Sequence, residues 1–223
     1  MRYTSRHLLS ETERQAILAI KISKLILYSS QLTLSLPTNT KTEIMADTGE
    51  QFDTVITLCR EIYREKLNDY GPSWRIMRPE SITDQILIKA KRIRSIEIKK
   101  ESKINEGIKP EFIGIVNYGI IGLIQLELGF SDDVNISNEK ALELYDKHMT
   151  ETKELMYAKN HDYDEAWRMM RTSSYTDLIL TKLNRVKEIE NNDGKVSVSE
   201  GIDSNYKDMI NYALFGLIKL TYK

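Results

Sequence analysis

The chain has 223 residues, with 32 Lys and Arg against 33 Asp and Glu, a formal charge of −1. A charge so near zero excludes a general electrostatic pull toward nucleic acid, and direct binding to duplex DNA is not expected. The single cysteine, Cys59, excludes an internal disulfide and a cysteine-rich zinc site, which fits a reducing cytoplasm.

Residues 1–44 come first and stand apart. Their most apolar stretch, AILAIKISKLILYSS, is interrupted by Lys21 and Lys24 and is too short to cross a bilayer. It also lacks the clean apolar core and small-residue cleavage site of a signal peptide, so no membrane partner is expected. Met45 opens MADTGEQFDTVITLCREIY, which reads as a natural start. Residues 1–44 are therefore expected to be an upstream over-extension of the reading frame, or a loosely attached appendage with one marginal helix.

The rest of the chain says the same thing twice. Lys66 and the following DYGPSWRIMRPESITDQILIKAKRIRSIE recur at a constant offset of 93 as Lys159 and DYDEAWRMMRTSSYTDLILTKLNRVKEIE. After one inserted residue the offset is 94, and EGIKPEFIGIVNYGIIGLIQL pairs with EGIDSNYKDMINYALFGLIKL. Two units follow, residues 45–130 and 131–223. No histidine matches across the repeat, which argues against a histidine-based metal or acid–base site.

Each unit reads as three helices. The first covers about Gln51–Leu67, with Phe52, Val55, Ile56, Cys59, Ile62 and Tyr63 at helical spacing, and about Asn138–Lys159 in the copy. A loop follows, punctuated by Pro72 and Pro79 in the first unit. The second helix opens on Ser81-x-x-Asp84 or Ser174-x-x-Asp177, a capping signature that accounts for both aspartates. It runs to about Glu97 and Glu190, and a polar, variable connection absorbs the insertion, as a surface loop does. The third helix, about 110–127 and 204–221, is apolar almost all round and belongs at the centre of a bundle. With no alternating pattern of useful length beyond the first 45 residues, the fold class is all-α: two tandem three-helix repeats packed as a pseudo-two-fold bundle.

Polar residues kept in both copies are the candidate site. Asn117 and Asn211 sit mid-way along apolar helices, where an amide without partners costs about 1–3 kcal/mol. Either a neighbouring helix bonds them, or they hold a ligand group or a carboxylate ligand of a metal. Glu61 and Glu154 match late in the first helix, and Asp208 lies one turn before Asn211. Mg²⁺ takes hard oxygen ligands of this kind, and facing helices of a bundle can supply them. Glu61, Glu154 and Asp208 are the expected metal ligands, and the competing reading is solvated helix charge.

The basic set is Arg75, Arg78, Lys89 and Arg92, repeated as Arg168, Arg171, Lys182 and Arg185. Such residues converging on a cleft suit phosphates, and ion pairing with the matched acids is the alternative. Lys66 and Lys159, Asp69 and Asp162, Tyr70 and Tyr163, and Trp74 and Trp167 also match, close to these arginines. The tryptophans would stack on a nucleobase or simply pin the loop to the core.

The Lys-x-x-Asp-Tyr…Trp-Arg and Asn-Tyr combination, over about residues 45–223, closely resembles the nucleotide modification associated domain 1 family in a two-copy form. That resemblance implies a link to nucleotide or DNA-base modification. The helix order and the late Asp208-x-x-Asn211-Tyr212 more weakly resemble the all-α nucleoside triphosphate pyrophosphohydrolases of the MazG and dimeric dUTPase type. This second resemblance implies a Mg²⁺ site built from Glu-x-x-Glu and Glu-x-x-Asp. The first repeat has Leu58 where Glu151 falls, and the pairs Glu111-x-x-Gly114 and Asn205-x-x-Asp208 are each half complete. The resulting expectation is a cytoplasmic nucleotide-binding protein that cleaves a nucleoside triphosphate with Mg²⁺. The alternative is a non-catalytic nucleotide-binding or scaffold module. Homodimerisation is left open.

Overall fold

A computed structural model describes residues 40–101, 107–196 and 200–222, with side chains from Thr48 onward. The chain divides into two compact units, residues 1–47 and 48–223. The appendage expected over residues 1–44 lies almost wholly outside the described residues. The described part is helical, with no strand: α1 (Thr40–Tyr70), α2 (Pro79–Lys99), α3 (Lys109–Leu128), α4 (Asn138–Tyr163), α5 (Thr172–Asn191) and α6 (Ile202–Thr221). Short 3₁₀ turns at Ser73–Ile76 and Ala166–Met169 follow α1 and α4. α1 begins before Met45, so the apparent start at that methionine falls inside a helix.

The helices follow the apolar spacing. On α1 the stripe Phe52, Val55, Cys59, Tyr63 and Leu67 is buried, while its other faces carry exposed polar residues. α3 is different: Phe112, Ile115, Val116, Ile120, Leu123 and Ile124 are buried on nearly every side. Each such side chain contributes about 1.5–3 kcal/mol by leaving water. α3 is long and apolar enough to cross a membrane by length and composition, which the sequence reading did not recognise, and 72% of that stretch is buried inside the protein.

α3 and α6 pack together at the centre, and α2 packs on α5. The central pair approaches closely through matched glycines. A Cβ at Gly122 would lie 2.8 Å from the Tyr206 ring, and one at Gly216 would lie 3.0 Å from the Phe112 ring. An alanine at either position would push the two central helices apart. Contacts between α2 and α5 repeat with the same exchange symmetry. Asp84 pairs with Lys187 at 2.7 Å, and the corresponding Asp177 lies 3.8 Å from Arg94. That residue i meets j while j's copy meets i's copy is the signature of a two-fold interface, here inside one chain.

The capping expectation needs correction. α2 and α5 start three residues earlier than serine N-caps would place them, with Arg78 and Arg171 in the extended N-cap conformation and no side-chain cap. Pro79 takes the first helical position, where its missing N–H costs nothing. Ser81 and Ser174 are therefore in the third helical position. Asp84 and Asp177 join the α2–α5 seam rather than closing reciprocal caps. By contrast, Ser137 does cap α4, accepting from the Lys140 N–H at 3.2 Å.

Candidate functional site

Each repeat has a hollow beside its third helix, and the two hollows are copies by position but not by chemistry. In the first repeat a cavity of about 430 Å³ lies between the end of α1, the following loop, α2 and α3. Its walls include Lys66, Tyr70, Trp74, Lys89, Glu111 and Tyr118, with Ile62, Leu67, Met77, Ile113 and Ile121 making them mostly apolar. In the second repeat a groove of about 1190 Å³ is lined by Lys159, Tyr163, Lys182, Arg185, Asn205 and Asp208, among other polar residues.

The difference comes from moving one acid by one helical turn. In the first repeat the acid is Glu111, buried near the start of α3, and it takes a hydrogen bond from Arg92 and lies 3.6 Å from Lys89. In the second repeat Asn205 replaces it, and the acid is Asp208, at the position of Gly114. Lys159 contacts one Asp208 oxygen and Lys182 the other. Gly114 is bare for a steric reason: a Cβ there would fall 2.5 Å from Cδ of Lys89, which crosses the helix at that point. Its ammonium ends 5.8 Å from the centre of the Tyr118 ring, a cation–π distance.

The first cavity has an unusual floor. Tyr63 and Trp74 both line it and both are more than nine-tenths buried, and among the described residues the phenol O–H and the indole N–H have no partner beyond a loose contact with each other. Burial raises the Tyr63 phenol above its ordinary range, and the neighbouring Trp74 N–H offsets this only in part. The Tyr63 ring stacks on Tyr145, centroids 4.5 Å apart, which fixes its plane. Lys66, at the mouth, is exposed and has no ion pair among the described residues. Tyr70 is 57% exposed at the rim.

Several matched polar residues turn out to hold the fold. Asn117 donates to the Cys59 carbonyl at 3.1 Å and accepts from the Tyr145 hydroxyl at 2.8 Å. Asn211 repeats the first bond, to the Thr152 carbonyl at 3.1 Å. Its oxygen is buried without a partner among the described residues, and the residue corresponding to Tyr145 is Phe52, which has no hydroxyl. Arg75 is 3% exposed and bonds Asn135, Gln125 and the Gly129 carbonyl. Arg168 bonds Glu165, Thr48 and Gln51 and lies 4.5 Å over the Trp167 ring. Both arginines therefore brace their loops and are not available to a phosphate. Trp167 stacks on Phe215 at 4.4 Å and pins its loop, whereas Trp74 lines the first cavity. Arg78 and Arg171 sit exposed at helix starts, and Asp69 and Asp162 are exposed, all four outside both hollows.

The expected metal ligands do not come together. Glu61 pairs with Arg64, Glu154 is exposed on α4, and Asp208 is engaged by two lysines. Among the described residues no group of three or more acids, histidines or cysteines is placed to hold a metal. A divalent ion would have to displace ammonium groups already bonded to the buried acid, so these residues do not fit a Mg²⁺ site.

Sequence reasoning missed a matched pair of loop anchors. Gln125 donates to the carbonyls of Arg75 and Met77 at 3.0 and 2.9 Å, and Lys219 donates to those of Arg168 and Met170. Gln and Lys are both long donors, and their shared position in the repeat was the available signal. It also left Tyr63 and Tyr118 out of the site, although Tyr118 was visible in the repeated Asn-Tyr pair.

Set against known families, the chain matches the model described as nucleotide modification associated domain 1 twice, at residues 66–126 and 159–220. Both matched segments contain the loop, the second helix and the third helix that frame a hollow. No curated protein and no solved structure matches the chain.

Proposed function

The chain belongs to the nucleotide modification associated domain 1 family, with two copies of the domain, and from that premise we propose that it binds a nucleotide in the cavity of its first repeat. The supporting observation is the pairing of apolar, aromatic walls with a lysine at the mouth that has no ion pair among the described residues. Trp74 and Tyr118 offer faces for a planar base, a contact worth about 1–3 kcal/mol per base. Lys66 supplies charge for a phosphate, with Lys89 alongside. The volume lies in the range of small-molecule sites.

The role is recognition within a nucleotide or DNA-base modification system. Hydrolysis through a metal-activated water is not part of this reading, because Asp208 is bonded to two lysines, Glu61 to Arg64, and among the described residues no group of three acids is placed to hold a metal. Thermal melting against unmodified and modified nucleotides, with and without Mg²⁺, tests it. At least one nucleotide raises the midpoint in a concentration-dependent way, and Lys66→Gln reduces the shift. No shift with any nucleotide overturns the reading, and Mg²⁺-dependent release of pyrophosphate restores the enzymatic one.

A further inference from the structure

The groove of the second repeat carries a cation that is neutralised in the first repeat but has no acid partner among the described residues of the second. Arg92 is bonded to Glu111. Its copy, Arg185, faces a position where the acid has become Asn205, and Arg185 is exposed with no ion pair among the described residues. Asn205 does not substitute for the lost charge. Its amide N–H₂ is committed to the carbonyls of Gly201 and Glu200, at 2.7 and 3.4 Å, and its oxygen is buried without a partner among the described residues.

The surroundings concentrate positive charge. Lys159 and Lys182 share the single carboxylate of Asp208, one on each oxygen. Lys195 also lines the groove, without an ion pair among the described residues. Glu188 and Glu200 are the remaining acids, both exposed, and Glu200 lies 3.5 Å from Lys182. Four cations against three acids leave one positive charge in excess. Asn184 and Asn192 add neutral amide donors to the lining. Few apolar side chains line this groove, in contrast to the aromatic cavity of the first repeat.

We infer that the second-repeat groove is an anion site for a phosphoryl group, with Arg185 as its principal ligand and Lys195 and the Asp208-bound lysines as its electrostatic support. A guanidinium presents two parallel N–H groups to phosphate oxygens, a geometry no single ammonium offers. The protein then holds two unlike sites built from one repeated frame, an aromatic cavity in the first half and a phosphoryl groove in the second. This goes beyond nucleotide binding at the first cavity and uses none of its residues.

Isothermal titration of the full chain with inorganic pyrophosphate and, separately, with nucleoside mono- and triphosphates tests it. Two variants accompany the wild type: Arg185→Gln, at an exposed position, and Asn205→Glu, which installs the acid that neutralises Arg92 in the first repeat. Saturable binding of pyrophosphate that weakens at least tenfold in Arg185→Gln identifies the free ion as ligand. Binding confined to nucleoside phosphates, but equally dependent on Arg185, identifies the phosphoryl group of a nucleotide. Asn205→Glu weakens either by a similar factor, and a melting curve shows whether that buried variant folds. Absence of any Arg185-dependent binding overturns the proposal, and Lys66→Gln leaves the Arg185-dependent isotherm unchanged. A Lys66-dependent melting shift without such an isotherm would refute the groove alone.

Discussion

The Thr83 hydroxyl donates to the Glu190 carboxylate at 2.6 Å across the two repeats, and its copy, Thr176, donates to Glu97 at 3.2 Å. Thr83 also lies 2.9 Å from the Tyr206 hydroxyl, a group that Phe112 lacks in the other half. The seam between repeats is thus built twice, but more densely on the Thr83 side. Thr83→Val is expected to lower stability by about 1–3 kcal/mol by leaving Glu190 and Tyr206 without that partner. Thr176→Val is expected to cost less. Urea melts of the two variants check the order.

The same seam has a pH signature. Burial is the main cause raising Glu190 and Glu97 above the usual carboxylate range, with the threonine hydroxyls pulling the other way. A carboxyl whose folded value is raised holds its proton longer in the native state. Its contribution is therefore greatest in acid and is lost as pH rises from the ordinary carboxylate range through the raised folded value. Glu190→Gln should flatten that part of the stability–pH curve.

His148 acts with the opposite slope. It is 7% exposed, with Glu127 at 2.8 Å and Glu151 at 3.7 Å, and burial holds its folded value below the ordinary one of 6.5 despite both acids. The unfolded chain takes up the proton first as pH falls through about 6.5, so stability declines with acidification below that point. Chemical denaturation between pH 7 and pH 5 should show a decline for the wild type and a smaller one for His148→Gln.

Tyr145 and Phe52 stand at corresponding positions and have different consequences. Tyr145→Phe would leave the Asn117 oxygen in the state the Asn211 oxygen already has. The expected cost is about 1–3 kcal/mol, read as a lower melting temperature with no change in helical content.

Much of the fold was legible because its signals are local or repeated. Phe52, Val55 and Cys59 keep helical spacing, and the apolar run from Phe112 to Leu126, paired with its copy, pointed to the centre of a bundle. The repeat itself announced the pseudo-two-fold. The site was less legible because matched residues reveal importance without revealing partners. Arg75 and Arg168 matched because both brace a loop, and Asn117 and Asn211 because both tie helices together. Glu61 and Glu154 matched on faces that meet no common centre. What separates the hollows is Glu111 against Asn205 and Gly114 against Asp208. Those mismatches were visible in the sequence, but their meaning depends on which lysine or arginine reaches each carboxylate in space.

Gly114 gives a direct probe of the first cavity. Gly114→Ala should displace Lys89, because its Cδ stands where the new methyl group would be. Lys89 is a flexible side chain, so the expected effect on stability is within about 1 kcal/mol. The effect on nucleotide affinity is expected to be larger, a loss of about tenfold in a titration followed by melting temperature.

The most direct measurement uses Trp74 as its own reporter. The chain has two tryptophans, and Trp167→Phe leaves Trp74 as the sole indole. Emission from that variant is then titrated with a panel of modified and unmodified nucleotides. A base stacking in the first cavity should change Trp74 emission saturably, with the midpoint shifted about tenfold by Lys66→Gln. Emission that stays flat across the panel, while Trp74 remains folded and buried, would contradict nucleotide binding in the first repeat.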